Sequence, residues 1–442
     1  MSATTDQRRV KLPLRLQTRR LRTLVRCCAF VVAVLLLVPL TPWPLAPWPW
    51  ATMVVPACSS FVTLATVIAT RSLGPAAMVG LPILLVVLVR RRWFCRWLCP
   101  VGLLSECAGR LSPVSATKCQ CLSSLGKAIV LLSLAAACFG YPLLLWLDPL
   151  AIFTGLFGLG HASAGSAAMM SAGLFAGLIV LSGVLPGAWC LKCCPLGATQ
   201  DLLAMPSKIL LRHKKATNDT NVSPEFADTK DVAGFPLPRR TMLAMAAGTV
   251  CAGLGVTLGW GGRCKGGDRH ASLLRPPGAV PAWQFPQLCL RCGNCVRACQ
   301  AEIIRIDQEP DTLGGWLTPI VVFETDYCRE DCNLCMRVCP SGAIVHADLE
   351  EKRAAPIGLA HINMDRCIMA MGPECRAMCM ESCPYEAIQL HEWSFEDDRR
   401  YPIVENSQCP GCGACAIACT PMNAIVVRPL PPMETNDTQD QA

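Results

Sequence analysis

Sixteen of the chain's thirty cysteines lie after residue 288, in four groups of four. CLRCGNCVRAC supplies Cys289, Cys292, Cys295 and Cys299, and CREDCNLCMRVCP supplies Cys328, Cys332, Cys335 and Cys339. CIMAMGPECRAMCMESCP supplies Cys367, Cys375, Cys379 and Cys383, and CPGCGACAIAC supplies Cys409, Cys412, Cys415 and Cys419. The first and last groups read C-x2-C-x2-C-x3-C. Three close thiolates on a short loop can grip three irons of a [4Fe–4S] cubane. The fourth, a helical turn on, points away toward a partner cluster. The second group widens the first gap by one residue. The third widens that gap to seven and the next to three. Zinc held by four cysteines is the competing chemistry, but zinc ribbons split their ligands into two distant pairs. A disulfide scaffold is the other alternative in an exported, cysteine-rich chain. The clumped spacing with a trailing cysteine favours iron, and the expectation is four thiolates for each of four [4Fe–4S] clusters.

An internal repeat surrounds these groups. A β-like stretch ends five residues before the first cysteine in VVFETDYC, HINMDRC and PIVENSQC. An apolar pair follows the last cysteine in AEII, SGAI, YEAI and TPMNAI. This strand–loop–helix–strand unit is the bacterial-ferredoxin half-repeat. Four units over residues 280–427 predict an α+β polyferredoxin domain.

The elements ahead of it are of another kind. Residues 27–200 are mostly apolar, and 27–46, 72–89, 128–147 and 165–186 are each long enough to cross a bilayer at about 20 residues. An α-helical membrane domain is predicted there. The formal charge of +8 comes largely from residues 1–26, which hold eight Arg or Lys against Asp6. That run reads as the cytoplasmic flank of a membrane helix rather than a nucleic-acid site. Arg90, Arg91 and Arg92 belong on the same side, so two crossings separate them from the N-terminus and residues 51–70 become re-entrant or interfacial. No Lys or Arg occurs from 128 to 191, as expected of a hairpin through the outer face.

Residues 201–238 read as a cytoplasmic linker. Arg239 and Arg240 then open an apolar run to Trp260, which reads as an internal twin-arginine signal and anchor. Clusters are inserted in the reducing cytoplasm, so their domain must cross already folded, and the twin-arginine route carries folded cargo. The ferredoxin unit is therefore expected outside the inner membrane of a multi-pass protein. Residues 428–442 read as a disordered tail.

The apolar half has cysteines of its own. RRWFCRWLCPVG holds Cys95 and Cys99, and GAWCLKCCPLGA holds Cys190, Cys193 and Cys194. Both contain C-x3-C-P after a membrane helix, on the cytoplasmic face by the topology above. Cys95, Cys99, Cys190 and Cys194 could hold one further cluster, with Cys119 and Cys121 as spare ligands. Reduced thiols without metal are the alternative.

Together these residues resemble a known pair. The first half is similar to the NapH-type membrane iron–sulfur proteins, with four helices and a C-x3-C-P after the second and fourth. The second half is similar to the NapG/MauM-type extracytoplasmic ferredoxins. The resemblance covers nearly the whole chain as a fusion of the two. It implies quinol oxidation at the membrane, with electrons passed from the quinone pool to an extracytoplasmic reductase or cytochrome. It also implies that the first cysteine group pairs with the fourth and the second with the third. NapH-type proteins usually carry two more ferredoxin groups after the second C-x3-C-P, whereas residues 195–250 contain no cysteine.

Quinol oxidation needs a proton acceptor. Asp148, the acidic residue in LLLWLDPLAIF, falls at the outer end of the third predicted span, with His161 nearby. An ionisable group at a membrane edge is a functional expectation, although Asp-Pro also ends helices. There is no C-x-x-C-H for haem, and the Gly-rich run before His161 follows no strand, so it is a poor dinucleotide fingerprint. A maturation or regulatory role for a partner metalloenzyme is the alternative reading; a plain anchor for a ferredoxin is a third.

Overall fold

The computed structural model describes residues 14–38, 50–112, 125–160, 165–204, 273–309, 315–371, 375–394, 397–419 and 422–430. Residues 205–238 of the linker, the twin-arginine segment, His161, Cys119, Cys121 and the tail after Leu430 lie outside the described residues. Residues 201–203 are helical and Arg428 is in a strand, so the linker and the tail both begin later than expected.

The first half is helical. Helix α1 spans Leu14–Leu37, beginning well before the expected start at residue 27. Helices α2 (Ala51–Ala57) and α3 (Ser60–Thr70) form one broken pair bent by 94°. The break has local causes. Pro56 ends α2, and Ser59 caps α3 by accepting from the Val62 amide. Thr63, Thr66 and Thr70 return their hydroxyls to carbonyls one turn back, whereas the buried Ser60 hydroxyl at the start of α3 has no partner among the described residues. This kinked pair, expected to be re-entrant or interfacial, has the form of either a broken span or a re-entrant loop.

Helix α4 spans Pro75–Val89, α5 Trp93–Trp97 and α6 Pro100–Arg110. Helix α7 covers only Leu125–Ala137 of the expected third span. The chain then turns through Gly140 and Leu144, both at positive φ. Thirteen residues rise about 20 Å, short of an about 30 Å hydrocarbon core. Helix α8 (Pro149–Gly155) leads to α9 (Gly165–Val184). Among the described residues α9 is the one unbroken helix long and apolar enough to cross a membrane. A turn at Trp189–Cys193 precedes α10 (Pro195–Leu203).

The second half is mixed α+β, with short strands and one-turn helices around the cysteines. In its first unit, strands β1 (Ile304–Ile306) and β2 (Pro319–Val321) form an inner antiparallel pair. An outer bridge joins Ala279 to Ile344. The second unit repeats the plan. Strands β3 (Leu359–Ile362) and β6 (Ile425–Arg428) form the outer pair, and β4 (Ile388–Ser394) and β5 (Asp397–Val404) the inner one. The apolar pairs that follow each cysteine group start or meet these strands, as the repeat predicted.

The two units meet tightly. Ile357 N–H donates to the Pro410 carbonyl at 2.8 Å, and Cys328 N–H to the Cys412 carbonyl at 2.9 Å. Gly411 sits here at φ +70, and a Cβ on it would stand 2.3 Å from the Gly358 oxygen. Only glycine allows this approach.

The first unit is also seated on the helical half. Gln284 donates to the Gly140 carbonyl (3.1 Å), Asn294 to Thr52 (3.2 Å) and Arg297 to Leu37 (3.0 Å). Arg291 lies over the Trp146 ring. Ala69, Ala137 and Ala167 share a buried core with Phe285, Leu288, Ile304 and Met336.

Candidate iron–sulfur centres

Each cysteine group sits on a loop that tightens into a single helical turn. In the first, Gly293 at φ +71 starts α12 (Asn294–Ala298), one turn after α11 (Phe285–Leu288). This delivers Cys289, Cys292 and Cys295 to one small chamber, and the fourth wall is Cys339 from the second group. Cys299 leaves the first group and joins Cys328, Cys332 and Cys335 in a second chamber. Cys383 of the third group lines a third chamber with Cys409, Cys412 and Cys415. Cys419 completes the exchange: it neighbours Cys379 together with Cys367 and Cys375.

The first group therefore pairs with the second and the third with the fourth. This corrects the pairing that the family resemblance implied. The reason is topological. Each outer strand pair closes a unit around two consecutive groups, so the trailing cysteine of each group can reach only its own unit's other chamber.

The chambers disfavour bare thiolates. Burial, followed by the neighbouring thiols, raises the Cys292 and Cys412 thiols to about 12 and Cys379 to about 11. Cys295 is pushed higher still by the same causes. Such thiols ionise only where a metal supplies positive charge. Amides point at the sulfurs, from Ile344 to Cys339 Sγ and from Ala387 to Cys383 Sγ, each at 3.4 Å. Among the described residues, no three of His, Cys, Asp or Glu converge on a single-ion position. Four cysteines per chamber with N–H···S support fit the donor set of a four-iron cluster.

Buried cations stand beside the chambers, and sequence reading had missed them. Arg275 is buried against the Phe285 ring and donates to Thr318 Oγ1 and the Pro319 carbonyl, both at 2.8 Å. Burial lowers its guanidinium to about 10, partly opposed by Cys289. Lys352 is 4% exposed. Its ammonium donates to the carbonyls of Arg329 and Cys332, and burial raises the Cys328 thiol with Lys352 partly opposing the rise. The capping box Asp348–Glu351 starts α13 (Leu349–Arg353) and turns Lys352 inward. That box was the legible signal, an Asp three residues before a Glu.

The helical half holds a fifth set. Cys99 and Cys194 occupy equivalent places: each caps the helix that follows, with proline at the first helical position. Cys99 Sγ accepts from the Gly102 amide at 3.3 Å and Cys194 Sγ from the Gly197 amide at 3.4 Å. A Cβ on Gly197 would lie 3.0 Å from the Cys190 carbonyl, so a side chain there would crowd the turn. Cys95, Cys99, Cys190 and Cys194 are mutual electrostatic neighbours. Burial raises all four thiols, Cys99 to about 12. Ser105 Oγ stands 3.1 Å from Cys190 Sγ.

Two arginines flank this set. Arg92 donates to both oxygens of Asp201, at 2.8 and 2.6 Å, and to the Cys190 carbonyl. Burial would raise the Asp201 carboxyl, but the hydrogen bonds from Arg91 and Arg92 hold it below its ordinary value. Arg26, the last residue of the basic N-terminal run, is buried and paired with Glu106. Burial raises Cys190 and Arg26 partly opposes this, so the run is more than a solvated flank.

Asp148 is fully buried. It caps α8, accepting from Leu150 and Ala151 and from Ser59 Oγ at 2.6 Å. Burial raises its carboxyl to about 6 despite these bonds. It also acts electrostatically on Cys99. The sequence topology put these two residues near opposite faces; the short α7 and the return of α8 bring them within reach of each other.

Ferredoxin-like strand pairs wrapped around exchanged cysteine quartets define a ferredoxin-type iron–sulfur protein. A 4Fe-4S dicluster domain model matches residues 288–343, which hold the first two groups and agree with their pairing. A 4Fe-4S binding domain model matches residues 73–116 and 167–216, around the two C-x3-C-P motifs. The chain is 36% identical over 172 residues to the methylamine utilization ferredoxin-type protein MauM of Methylophilus methylotrophus, covering 37% of this chain and 73% of that protein. It is 35% identical over 167 residues to the ferredoxin-type protein NapG of Escherichia coli K12, covering 36% and 71%. NapG of Haemophilus influenzae matches at 29% over 238 residues, covering 50% and 76%. No solved structure matches the chain. The chain belongs to the NapG/MauM family of ferredoxin-type proteins, and its general role is iron–sulfur electron transfer.

Proposed function

We infer that this protein is a membrane-embedded electron carrier that takes electrons from quinol and passes them through four [4Fe–4S] clusters to an extracytoplasmic reductase or cytochrome. The observation that carries this reading is the serial order of the chambers. Within each unit two chambers exchange a cysteine, and between units Cys328 is bonded to Cys412. The order is therefore Cys339 chamber, Cys328 chamber, Cys412 chamber, Cys379 chamber. The clusters supply one-electron storage at each place. The protein holds them close, tunes them with buried cations and keeps water out.

The Cys339 end rests on the helical half, which supports entry there. The seats are Leu37 at the end of α1, Thr52 in α2, and Gly140 and Trp146 in the turns after α7. This supports a NapH-like multi-pass half with the ferredoxin unit outside. A fifth cluster held by Cys95, Cys99, Cys190 and Cys194 would join the same line. Ala198, one turn beyond Cys194, shares a core with Phe61, Leu290 and Cys292.

The test is anaerobic mixing of the full-length protein in detergent with menaquinol. Bleaching of the cluster absorbance is the expected result. Full cluster content with no bleaching would overturn the quinol assignment and favour a maturation role.

A further inference from the structure

Beside an open groove of about 680 Å³ along Arg337 and Glu350, the chambers for iron leave a more enclosed cavity unexplained. It has a volume of about 370 Å³ and lies between the helical half and the first ferredoxin unit. That volume falls within the roughly 300–1,000 Å³ of small-molecule sites. One wall is the tip of α3 and the start of α4, where Ala69, Pro75, Ala76 and Ala77 give a smooth apolar face. The opposite wall is the Cys339–Pro340–Ser341–Gly342 turn with His346. Cys339 is the trailing cysteine of the first chamber, so the cavity touches the cluster site itself.

We propose that this cavity binds the headgroup of a membrane quinol and is where electrons enter the protein. The proposal rests on the quinol reading above and gives it a place. Three features carry it. First, a flat aromatic headgroup needs an apolar slot with a few polar groups at its rim, and Thr70, Ser72, Gln284 and His346 supply that rim. His346 bonds through Nε2 to the Cys339 carbonyl at 3.2 Å, which ties the rim to the cluster turn.

Second, the slot opens beside apolar surface. Leu73 and Met78, next to the α4 start, are 59% and 66% exposed, as side chains facing an isoprenoid tail or lipid would be. Third, an electron donor must sit close to the first acceptor, and no protein layer separates the slot from Cys339. Oxidation of one quinol to quinone releases two electrons, taken singly by the clusters, and two protons, which leave to water.

Photoaffinity labelling tests the site independently of turnover. The full-length protein in detergent is irradiated with an azido-naphthoquinone, and the adduct is mapped by mass spectrometry. Label within residues 66–77 or 340–346, displaced by excess menaquinone, is expected. Val345 lines the cavity yet is 52% exposed, so Val345→Trp can fill the slot from outside with little strain on the core. It should cut labelling and quinol-driven reduction about tenfold, with iron content and the dithionite-reduced spectrum unchanged. Label elsewhere, or label here that Val345→Trp leaves intact, would overturn the site. If menaquinol reduces the clusters in wild type and in Val345→Trp alike, the site falls while the quinol reading stands. If it reduces neither, the quinol reading falls first.

Discussion

The Cys328 amide donates to the Cys412 carbonyl at 2.9 Å, and this single bond joins a ligand loop of one ferredoxin unit to a ligand loop of the other. The units are thereby locked with their second and third chambers adjacent. In the reduced protein, clusters held there should show magnetic coupling. Gly411→Ala places a Cβ against the Gly358 oxygen and an L side chain at positive φ. It should cost on the order of 1–3 kcal/mol. Coupling in the EPR spectrum should weaken, with iron content largely kept.

The exchange of trailing cysteines makes a sharper prediction. Cys299→Ser should damage the cluster held with Cys328, Cys332 and Cys335, and leave the one beside its own group intact. Cys419→Ser should likewise damage the cluster near Cys379. EPR of the reduced variants distinguishes this from pairing of the first group with the fourth, in which Cys299→Ser would disturb the Cys409–Cys415 signal.

Lys352 brings a buried positive charge to the second chamber. A reduced cluster is one charge more negative, so the ammonium favours reduction. Lys352→Met should lower the potential of that centre by roughly 60 mV, the one-electron equivalent of a tenfold shift. The other centres should move far less. Redox titration followed by EPR measures it.

Asp201 fixes α10 to the turn before α5 through Arg91 and Arg92. Its folded pKa lies below the ordinary carboxyl value. The stabilisation is therefore present above about pH 4 and is lost as pH falls through the lowered value. Asp201→Asn should melt earlier than wild type at pH 6 to 7, and the gap should close toward about pH 3. Thermal unfolding in detergent across this range checks it.

Much of the ferredoxin half was legible. The cysteine spacings and the β-like stretches before Cys328, Cys367 and Cys409 place loops and strands where they lie. Chamber membership was not, because Cys299 and Cys339 are chosen by strand pairing between distant segments. Arg275 was silent for the same reason, since its burial depends on the tertiary path; Lys352 was announced only by the capping box ahead of it. In the helical half the C-x3-C-P motifs announced the fifth set, but Gly102 and Gly197 went unread. The lengths of α1 and α7 were misjudged, since hydropathy marks apolar surface and Gly140 and Leu144 decide where the helix ends.

The measurement that bears most directly on the account is freeze-quench EPR of the full-length protein mixed with menaquinol. Iron and acid-labile sulfide should be counted on the same sample. About sixteen irons, four per cubane, with signals developing from the Cys339 chamber toward the Cys379 chamber, is the predicted result. About four more irons would occupy Cys95, Cys99, Cys190 and Cys194. Full cluster content that dithionite reduces and menaquinol does not would contradict the account.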